Sequence, residues 1–421
     1  MSAPHDHRTR TLILAGVLHA FTHIYQTALI PLYLPIQKFY HRDTVDDATL
    51  MVTAMLVAYF LPSYAMGILA DRFSRKKLLS CGLAINALGF IGLAIAPTYP
   101  MALTCVILAG FGGSFFHPAA TALIARLYPA GTGRALGFLG IGASVGFCIG
   151  PLYAGWRAAQ ANDWRAPVLE LGIIGFVGAI FFAWLATEHA SDELELGPGT
   201  AKKRKEPMFP TPALWIMFIA AAFIFLLRDF AGSSMGTVGS LFLQKARGFG
   251  VQKTGWAISL IFIASAVSNP VFGHFSDRSR LKWAAGLIVI SATLIAIFPH
   301  VPTPWIIPTL IVYGFFFLAS YPIVEAALME SVPDAVRGRV FGLFITIGGL
   351  LGNLSHWLVG HWVVSFGSRA NDVRPYYSLY GWLAVFLLLS LGGLPCLRAI
   401  RKREIVVQTI APDETPHATL P

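Results

Sequence analysis

Long apolar runs recur along the whole chain, and they restrict its fold more than any other feature. A helix that crosses a bilayer needs about 20 mostly apolar residues. The composition agrees with such helices, since 56% of the residues are hydrophobic and only 12% are charged, against about 25% charged in soluble domains. We predict an all-α membrane protein with twelve transmembrane helices. The predicted spans are approximately 11–33, 48–70, 78–97, 100–125, 134–156, 165–187, 211–243, 254–275, 283–300, 303–329, 339–363 and 376–398.

One polar stretch divides the chain near its middle. Between 188 and 210 an acidic segment, a Gly-Pro-Gly turn and a basic cluster follow one another, a composition typical of a flexible linker. We therefore predict a six-helix bundle at 1–187, a cytoplasmic linker at 188–210, a second six-helix bundle at 211–400 and a cytoplasmic tail at 401–421.

The net charge of +10 bears on orientation rather than on nucleic acid. Twelve spans put both chain ends on one side of the membrane, and 21 of the 31 Lys and Arg residues then fall on that side. Positive residues concentrate in cytoplasmic loops. We predict a multi-pass monomer in the bacterial inner (plasma) membrane, with both termini cytoplasmic, the lipid bilayer as its surroundings and no nucleic-acid partner.

A loop signature occurs twice, half a chain apart. GILADRFSRKK at 67–77 follows the second predicted span and GHFSDRSRLK at 273–282 follows the eighth, with Asp71 and Asp277 206 residues apart. Repeated bundles of this kind are the plan of many secondary transporters, whose substrate site lies between the repeats near the midplane. We predict two pseudo-symmetric bundles. Further pairs keep an offset of 204 or 205 residues: Pro118 with Pro322, Pro129 with Pro333, Arg134 with Arg339, and Gly137 with Gly342.

The first loop copy resembles the signature of the major facilitator superfamily, in which a Gly, a Leu and an Asp-Arg pair precede a basic cluster. Ser74 stands where that family usually has Gly. The resemblance implies two six-helix bundles that rock about a central site, and it implies that charged loop residues act as gating latches. The residues that fit the signature are Gly67, Leu69, Asp71, Arg72, Arg75 and Lys76. The predicted gating residues are Asp71, Arg72, Arg75, Asp277, Arg278 and Arg337.

Within the superfamily, the chain most resembles the fosmidomycin resistance branch of drug exporters. His23 stands where that branch carries an acidic residue, so the coupling chemistry of the branch is not carried over. The fifth predicted span also resembles the motif of proton-driven exporters, with Ala154 in place of a Gly, and this favours export over import. The segments that carry these resemblances are LH at 18–19, YQTALI at 25–30, GFGGSFFHP at 110–118 and GFCIGP at 146–151.

Two histidines lie near the centre of the first predicted span. His19 and His23 are spaced i and i+4, which places both imidazoles on one helical face. Histidine titrates near neutral pH, so we predict both as proton-coupling and substrate-binding residues, with Gln26 as a further substrate-binding residue. The alternative is that they only hydrogen-bond neighbouring helices. A zinc site would need a third ligand, which is not evident, so we predict no metal site and no cofactor.

Arg228 and Asp229 lie in the seventh predicted span, the repeat counterpart of the first. An ionised group at membrane depth costs at least about 2.5 kcal/mol, so it needs a physical reason. The guanidinium of Arg228 suits a carboxylate or phosphonate on a substrate, and Asp229 is predicted as a proton carrier or as the counter-ion of Arg228. A purely structural ion pair is the alternative. Glu325 in the tenth predicted span is a further proton-coupling candidate, or else it belongs to a tertiary network.

Prolines interrupt two repeat-related spans, at His117-Pro118 and Tyr321-Pro322. A proline inside a helix removes a backbone hydrogen bond and kinks the chain. Such a kink widens a cavity, so we predict Phe116, His117 and Tyr321 as substrate-binding residues. A kink without any binding role is the alternative.

Two polar residues of the eleventh predicted span complete the predicted substrate site. Asn353 and His356 are three residues apart, so they share a helical face. The aromatic residues Trp357 and Trp362 beside them suit plain interfacial packing equally well.

These features favour a secondary active transporter over other classes of protein. We predict a proton-coupled efflux antiporter for a small anionic or amphiphilic compound that works by alternating access. The main alternative is a proton-driven symporter that imports an organic anion or metabolite. A membrane-embedded transferase would need a catalytic constellation, and the sequence has no paired acid/base motif or nucleotide loop. A transporter-like sensor is disfavoured because both tails are short. We therefore predict that the protein is not an enzyme.

Overall fold

The computed structural model describes residues 4–129, 131–188, 207–333 and 336–410, and the regular elements within them are helices. Twelve segments are long and apolar enough to cross a membrane, which confirms the predicted fold class. We number them in chain order as α1 to α12. They are α1 (His7–Phe39), α2 (Asp46–Ala70), α3 (Arg75–Ile95), α4 (Tyr99–Leu127), α5 (Arg134–Ala161), α6 (Arg165–Leu185), α7 (Pro212–Ala246), α8 (Val251–Ser276), α9 (Arg280–His300), α10 (Thr303–Met329), α11 (Arg339–Ser365) and α12 (Arg374–Arg403).

Several spans consist of two or more consecutive helices. In α1 a short turn of tighter helix separates the main helix from its last segment, and α7 ends in a turn of π-helix. The consecutive helices, some of which extend a few residues beyond the span itself, are Pro4–Ala28, Ile30–Leu32 and Tyr33–Phe39 for α1, Asp46–Phe60 and Ser63–Arg72 for α2, Tyr99–Gly113 and Phe116–Leu127 for α4, Ile306–Phe317 and Ser320–Met329 for α10, Arg337–Gly352 and Ser355–Ser365 for α11, and Arg374–Leu389, Ser390–Gly392 and Gly393–Ile410 for α12.

The breaks in α4 and α10 confirm that proline interrupts these two spans. A proline ring clashes with the carbonyl group of the residue four positions earlier in a helix. For Pro118 that residue is Ser114, and for Pro322 it is Leu318. Each of these residues is the C-cap of the first helix in its span. The two spans therefore break at equivalent positions of the repeat.

The break in α11 has no proline to explain it. The first helix ends at Gly352, and the Asn353 side-chain amide donates a hydrogen bond to the Gly349 carbonyl at 2.6 Å. Thr53 of α2 donates its hydroxyl hydrogen to the Asn353 backbone carbonyl at 3.1 Å. Side-chain bonds to the backbone compete with the helical hydrogen-bond ladder, so a contact from another helix helps to define this break.

A stripe of glycines on α5 lets α1 approach closely. The glycines recur every four residues and face positions of α1 that have the same spacing, and a Cβ atom at any of them would overlap atoms of α1. Small residues at spacing four commonly mark close helix contacts in membranes. This contact places the backbone of α5 beside the polar residues of α1. The facing pairs are Gly142 with Gly16, Gly146 with Ala20, and Gly150 with Ile24.

The two halves of the chain meet through α5 with α8 and through α2 with α11. Gly155 and Gly255 allow the backbones of α5 and α8 to approach. Hydrogen bonds between the halves lie from the middle of the bundle to the end where α1 stops and α2 starts, which we call the far end. They join Tyr33 to Thr237 at 2.9 Å, Ser240 to the Ile30 carbonyl at 2.7 Å, Thr53 to the Asn353 carbonyl at 3.1 Å, and His361 to Asp46 at 2.8 Å.

The predicted domain limits are described only in part. Of the predicted linker at 188–210, residues 189–206 lie outside the described part of the chain, and so do residues 411–421 of the predicted tail. The last helix continues to Ile410, beyond the predicted end of the second bundle at residue 400. The limits of the two bundles therefore stay predictions.

Candidate functional site

Three imidazoles meet in the first half of the chain, and we call them the histidine cluster. His19 and His23 lie one turn apart on α1 with their Nε2 atoms 3.1 Å apart, so the spacing of four does place both on one face. His117 belongs to the first turn of the second helix of α4. Its ring centroid lies 5.2 Å from that of His19 and 5.9 Å from that of His23.

Hydrogen bonds to the Nδ1 atoms fix the ring orientations of the two α1 histidines. Nδ1 of His19 lies 2.8 Å from the Leu139 carbonyl oxygen on α5, the contact that the glycine stripe makes possible. Nδ1 of His23 lies 2.9 Å from Oε1 of Gln26, one turn further along α1. Both Nε2 atoms therefore point towards each other. His19 and His23 are each only 7% exposed, whereas the side chain of His117 is exposed.

Aromatic rings flank the histidine cluster and continue into the second half. Phe116 stacks on His19 with ring centroids 4.6 Å apart, and Phe147 of α5 lies 4.1 Å from His23. Phe147 in turn stacks on Phe262 of α8 at 5.0 Å. The polar rings are thus bordered by an apolar wall that runs across the contact between the halves.

A second polar group lies in the other half, and we call it the charged cluster. Arg228 and Asp229 of α7 form an ion pair, with Nη2 of the arginine 2.9 Å from Oδ1 of the aspartate. The guanidinium carbon lies 4.0 Å from the centre of the Tyr321 ring on α10. Glu325, one turn further along α10, interacts electrostatically with both charges of the pair. Asp229 is therefore the counter-ion of Arg228 in this conformation.

The charged cluster contains more carboxyl groups than cations. It contains one guanidinium and two carboxyl groups, and the Arg228 side chain is only 1% exposed. Among the described residues, Nη1 of Arg228 is buried and has no hydrogen-bond partner. A buried donor without a partner is destabilising by about 1–3 kcal/mol or more. This nitrogen is therefore available to an acceptor on a ligand.

Asn353 and His356 lie where α11 contacts α7. The Asn353 Oδ1 atom accepts a hydrogen bond from Ser233 at 3.3 Å, and the Thr237 hydroxyl lies 2.6 Å from Nδ1 of His356. Two glycines bring α11 this close, since Cβ atoms at Gly348 and Gly352 would meet the side chain of Asp229. Both predicted residues thus border the charged cluster on the side of the far end. His356 is 4% exposed.

Sequence reasoning did not identify the hydroxyl groups of α7 that hydrogen-bond α11 and α1. Ser233, Thr237 and Ser240 follow one another at spacings of four and three, which puts them on one helical face. Thr237 also hydrogen-bonds Tyr33 of α1 at 2.9 Å. A stripe of hydroxyl residues in an otherwise apolar span was the sequence signal that could have identified them.

The described contacts of the predicted gating residues join loops within one half. Arg72 and Arg278 are exposed, and the side chain of Asp71 lies outside the described residues. Their gating role stays a prediction. The described pairs are Arg75 with Glu188 at 4.0 Å, Asp277 with Arg280 at 3.1 Å, and Arg337 with the Met329 carbonyl at 2.7 Å.

Ser74, the residue that departs from the family signature, has two contacts in the structure. Its hydroxyl oxygen accepts a hydrogen bond from the Lys77 backbone and so caps the start of α3, and the hydroxyl donates to Glu188 at the end of α6. Burial disfavours the charge on Glu188, but the hydrogen bonds from Ser74 and from the Arg75 backbone outweigh it and hold the pKa of Glu188 below its usual value. A glycine could make neither side-chain contact.

Comparison with known proteins adds the family. The model described as Major Facilitator Superfamily matches residues 12–355. This chain belongs to that superfamily. It is therefore a transporter of small molecules rather than an enzyme, and its twelve spans make it a multi-pass inner-membrane protein.

Two curated relatives carry names that refer to drug resistance. The multidrug resistance protein MdtH of Shigella dysenteriae serotype 1 is 24% identical over 339 residues, which cover 77% of this chain and 79% of that protein. The fosmidomycin resistance protein of Escherichia coli K12 is 21% identical over 380 residues, which cover 88% of this chain and 90% of that protein. The superfamily transporter thus has similarity to both over most of its length.

Solved structures agree on the fold. A bacterial homologue of the human lysosomal transporter Spinster, in an inward-facing and unoccupied conformation, superposes with a TM-score of 0.71 at 15% identity and covers 96% of each chain. A D-xylose-proton symporter superposes with a TM-score of 0.71 at 16% identity, covering 90% of this chain and 97% of that one. At these identities the likeness concerns the fold alone.

Proposed function

We propose that this transporter is a proton-coupled efflux antiporter for a small amphiphilic compound, and that both of its termini are cytoplasmic. The observation that carries the proposal is the unbalanced charged cluster, with one guanidinium beside the carboxyl groups of Asp229 and Glu325. The names of the relatives, which refer to resistance, support export as the direction.

The unbalanced charge provides a physical reason for exchange. Two ionised carboxylates beside one guanidinium leave an excess negative charge at membrane depth, which is strongly unfavourable. Either a proton or a cationic or hydrogen-donating group of the compound can neutralise it. The proton and the compound then compete for the same oxygens of Asp229 and Glu325. A proton that enters from one side of the membrane displaces the compound to that side.

The proposed substrate site spans both halves. The apolar part of the compound lies against the aromatic wall of Phe116, Phe147 and Phe262, whose rings are in mutual contact or contact the histidines. Asp229 and Glu325 carry the proton in this proposal, and the assignment of a proton to His19 and His23 stays a prediction. The proposed substrate-binding residues are His19, His23, Gln26, Phe116, His117, Arg228, Tyr321, Asn353 and His356.

Alternating access would require the contacts at the far end to open and close. The hydrogen bonds Tyr33 to Thr237 and Asp46 to His361 join the halves there. When they break, the bundles can rock, and the opposite end of the protein, where the two loop signatures lie, can close. Asp71, Arg72, Arg75, Asp277, Arg278 and Arg337 are proposed to form the latch of that second state.

A specific observation favours symport with an organic anion as a second candidate. Nη1 of Arg228 is buried and unbonded, so an anionic group can bind there. An anion that replaces Asp229 on the guanidinium leaves a buried carboxylate without its counter-charge, and that carboxylate then favours a proton. Anion and proton would bind together, which is the requirement for symport rather than antiport.

The sign of proton movement separates the two candidates. Proteoliposomes that contain a pH dye are exposed to external amphiphilic bases or organic anions without a pH gradient. As the compound enters, antiport makes the lumen more alkaline, whereas symport makes it more acidic. Protein-free liposomes correct for passive permeation of the compound.

Two variants connect the proton movement to the charged cluster. Glu325→Gln is expected to abolish proton movement, while Glu330→Gln, a change in the loop after α10, is expected to leave it unchanged. If no compound in either class moves protons through the wild-type protein, proton coupling is wrong. Unchanged coupling in Glu325→Gln would remove that residue from the mechanism.

A further inference from the structure

The hydrogen bonds of the histidine cluster determine which ring nitrogens carry hydrogen. A carbonyl oxygen can only accept, so Nδ1 of His19, 2.8 Å from the Leu139 carbonyl, carries the N–H. The same argument applies to Nδ1 of His23, which lies 2.9 Å from Oε1 of Gln26. In both neutral rings Nε2 then presents a lone pair.

The two lone pairs face each other across a short distance. The Nε2 atoms of His19 and His23 are 3.1 Å apart, and two acceptors at that distance repel unless a proton or a metal ion lies between them. Rotation of the Gln26 amide would provide a neutral alternative, because its amide nitrogen would then donate to His23 Nδ1 and free Nε2 to carry hydrogen. In the observed orientation that amide nitrogen is buried and has no partner among the described residues. The amide orientation therefore sets the state of the pair: as described, both lone pairs face a cation position, whereas the rotated amide lets His23 donate to His19.

We propose that His19, His23 and His117 bind a divalent transition-metal ion of the zinc type. Nitrogen atoms bound to tetrahedral zinc at about 2.0–2.1 Å lie about 3.3 Å apart, close to the 3.1 Å between the two Nε2 atoms. One ring nitrogen of each of the three histidines lies within 4.8 Å of the other two. Imidazole is a preferred ligand of zinc, nickel and cobalt ions.

His117 can complete the site by a small movement of its side chain. Its ring is exposed, and neither ring nitrogen has a hydrogen bond to another described residue. It follows the break in α4, so it is attached to a different helix from the other two ligands. The i, i+4 spacing of His19 and His23 could not reveal this third imidazole.

The surroundings of the histidine cluster resemble those of histidines that bind a metal ion. A histidine that binds a metal usually donates its other N–H to a carbonyl oxygen, which fixes the ring and raises its basicity. Leu139 and Gln26 provide these acceptors, and Phe116 and Phe147 pack against the rings. Three protein ligands leave a fourth position open to water or to an anionic oxygen of a ligand. Neutral imidazoles do not cancel the metal charge, so an anionic fourth ligand is favoured.

Metal binding can be measured without transport, so its outcome is separate from that of the proposed function. The full chain is purified in detergent without a histidine tag, with His5 and His7 replaced by Ala, and is treated with a chelator. Zn²⁺ binding is then measured by calorimetry, and Co²⁺ is added to record its visible absorption. We expect one ion per chain and the intense d–d bands of four-coordinate Co²⁺. An absence of stoichiometric binding, or the weak spectrum of six-coordinate Co²⁺, would overturn the proposal.

Variants identify the ligands. His117→Ala and His23→Ala are expected to lose Zn²⁺ affinity by more than the roughly 10- to 100-fold that removal of an outer partner causes, and Gln26→Leu by roughly 10- to 100-fold. His274→Ala and His300→Ala, which lie outside the cluster, are the matched controls. Thermal unfolding shows whether each variant is folded, and Zn²⁺ should raise the Tm of the parent and the controls most, that of Gln26→Leu less, and those of the ligand variants least. Equal affinity in His117→Ala would contradict the three-histidine site.

Discussion

The histidine cluster and the charged cluster occupy equivalent positions of the repeat but differ in chemistry. His23 and Asp229 are 206 residues apart, the offset of the loop signature, and His117 and Tyr321 are 204 apart, the offset of their prolines. The first cluster consists of imidazoles held by carbonyl oxygens, and the second contains fixed charges around Arg228. The same arrangement of helices thus supports a group without obligatory charge in one half and an excess of carboxyl groups over cations in the other. The repeat predicts where polar residues lie, but not what they bind.

The largest expected difference in stability between the two clusters follows from removing the one cation of the charged cluster. Arg228→Ala leaves Asp229 buried without a counter-charge, and loss of one partner of a buried pair costs about 3–5 kcal/mol. We expect a large fall in the Tm of the purified protein. The double variant Arg228→Met, Asp229→Leu removes both charges and should recover much of that loss, since apolar replacement of a whole buried pair is often neutral. A single variant as stable as the parent would show that the pair is well solvated.

The next largest effect concerns the packing that the histidine half depends on. Gly146→Leu puts a side chain against the Ala20 backbone, so α1 and α5 must separate. Overpacking of this kind costs about 1–3 kcal/mol, and the contact from His19 to Leu139 should weaken with it. The Tm of Gly146→Leu is compared with those of Gly137→Leu and Gly140→Leu, where a Cβ atom meets no neighbour within 4 Å. Equal Tm values in all three would contradict close packing at the stripe.

A smaller effect is expected when the histidine cluster loses a ring. His23→Gln keeps a polar side chain near His19 and Gln26 and introduces no charge. The loss of a neutral hydrogen bond costs about 0.5–1.5 kcal/mol, well below the cost of Arg228→Ala. Denaturant or thermal unfolding of both variants under the same conditions tests this ranking. If His23→Gln proved as damaging as Arg228→Ala, the histidine cluster would carry a fixed charge after all.

The smallest expected effect on Tm concerns the two copies of the loop signature. Hydrogen bonds to Glu188 hold its pKa below the usual carboxyl value of about 4.3. A lowered folded-state pKa adds stability above the usual pKa, and this stability is lost as the pH falls through the lowered value. Glu188→Gln should therefore reduce Tm slightly at pH 7, and the difference should vanish in acid. Glu330→Gln, which removes one of the two acidic partners of Arg280 in the second loop copy, is the matched variant. A difference for Glu188→Gln that grows in acid would have the wrong sign.

The number of spans, their type and two of their interruptions were predictable, because apolar run length and proline act locally. The shared face of His19 and His23 was predictable for the same reason. His117 was predicted as a substrate-binding residue from the proline beside it, but its contact with His19 and His23 was not, because it comes from another helix. Neither was the break at Asn353, which a hydroxyl group of α2 helps to define. The spacing of Arg228 and Asp229 could not decide between a mutual ion pair and partners on other helices. Contacts between distant segments depend on packing that a single sequence does not contain.

The interruptions of α4, α10 and α11 also change the electric field inside the membrane. Each break starts a new helix near the middle of a span, at Phe116, Ser320 and Ser355. The first turn of a helix has backbone N–H groups without intrahelical partners and carries about half a positive charge from its macrodipole. Three such helix starts lie beside His117, Tyr321 and His356. Each break also ends the preceding helix, at Gly113, Phe317 and Gly352, whose last carbonyl groups carry the opposite partial charge. The backbone therefore supplies the centre of this transporter with partial charges of both signs, independently of the protonation state of any side chain.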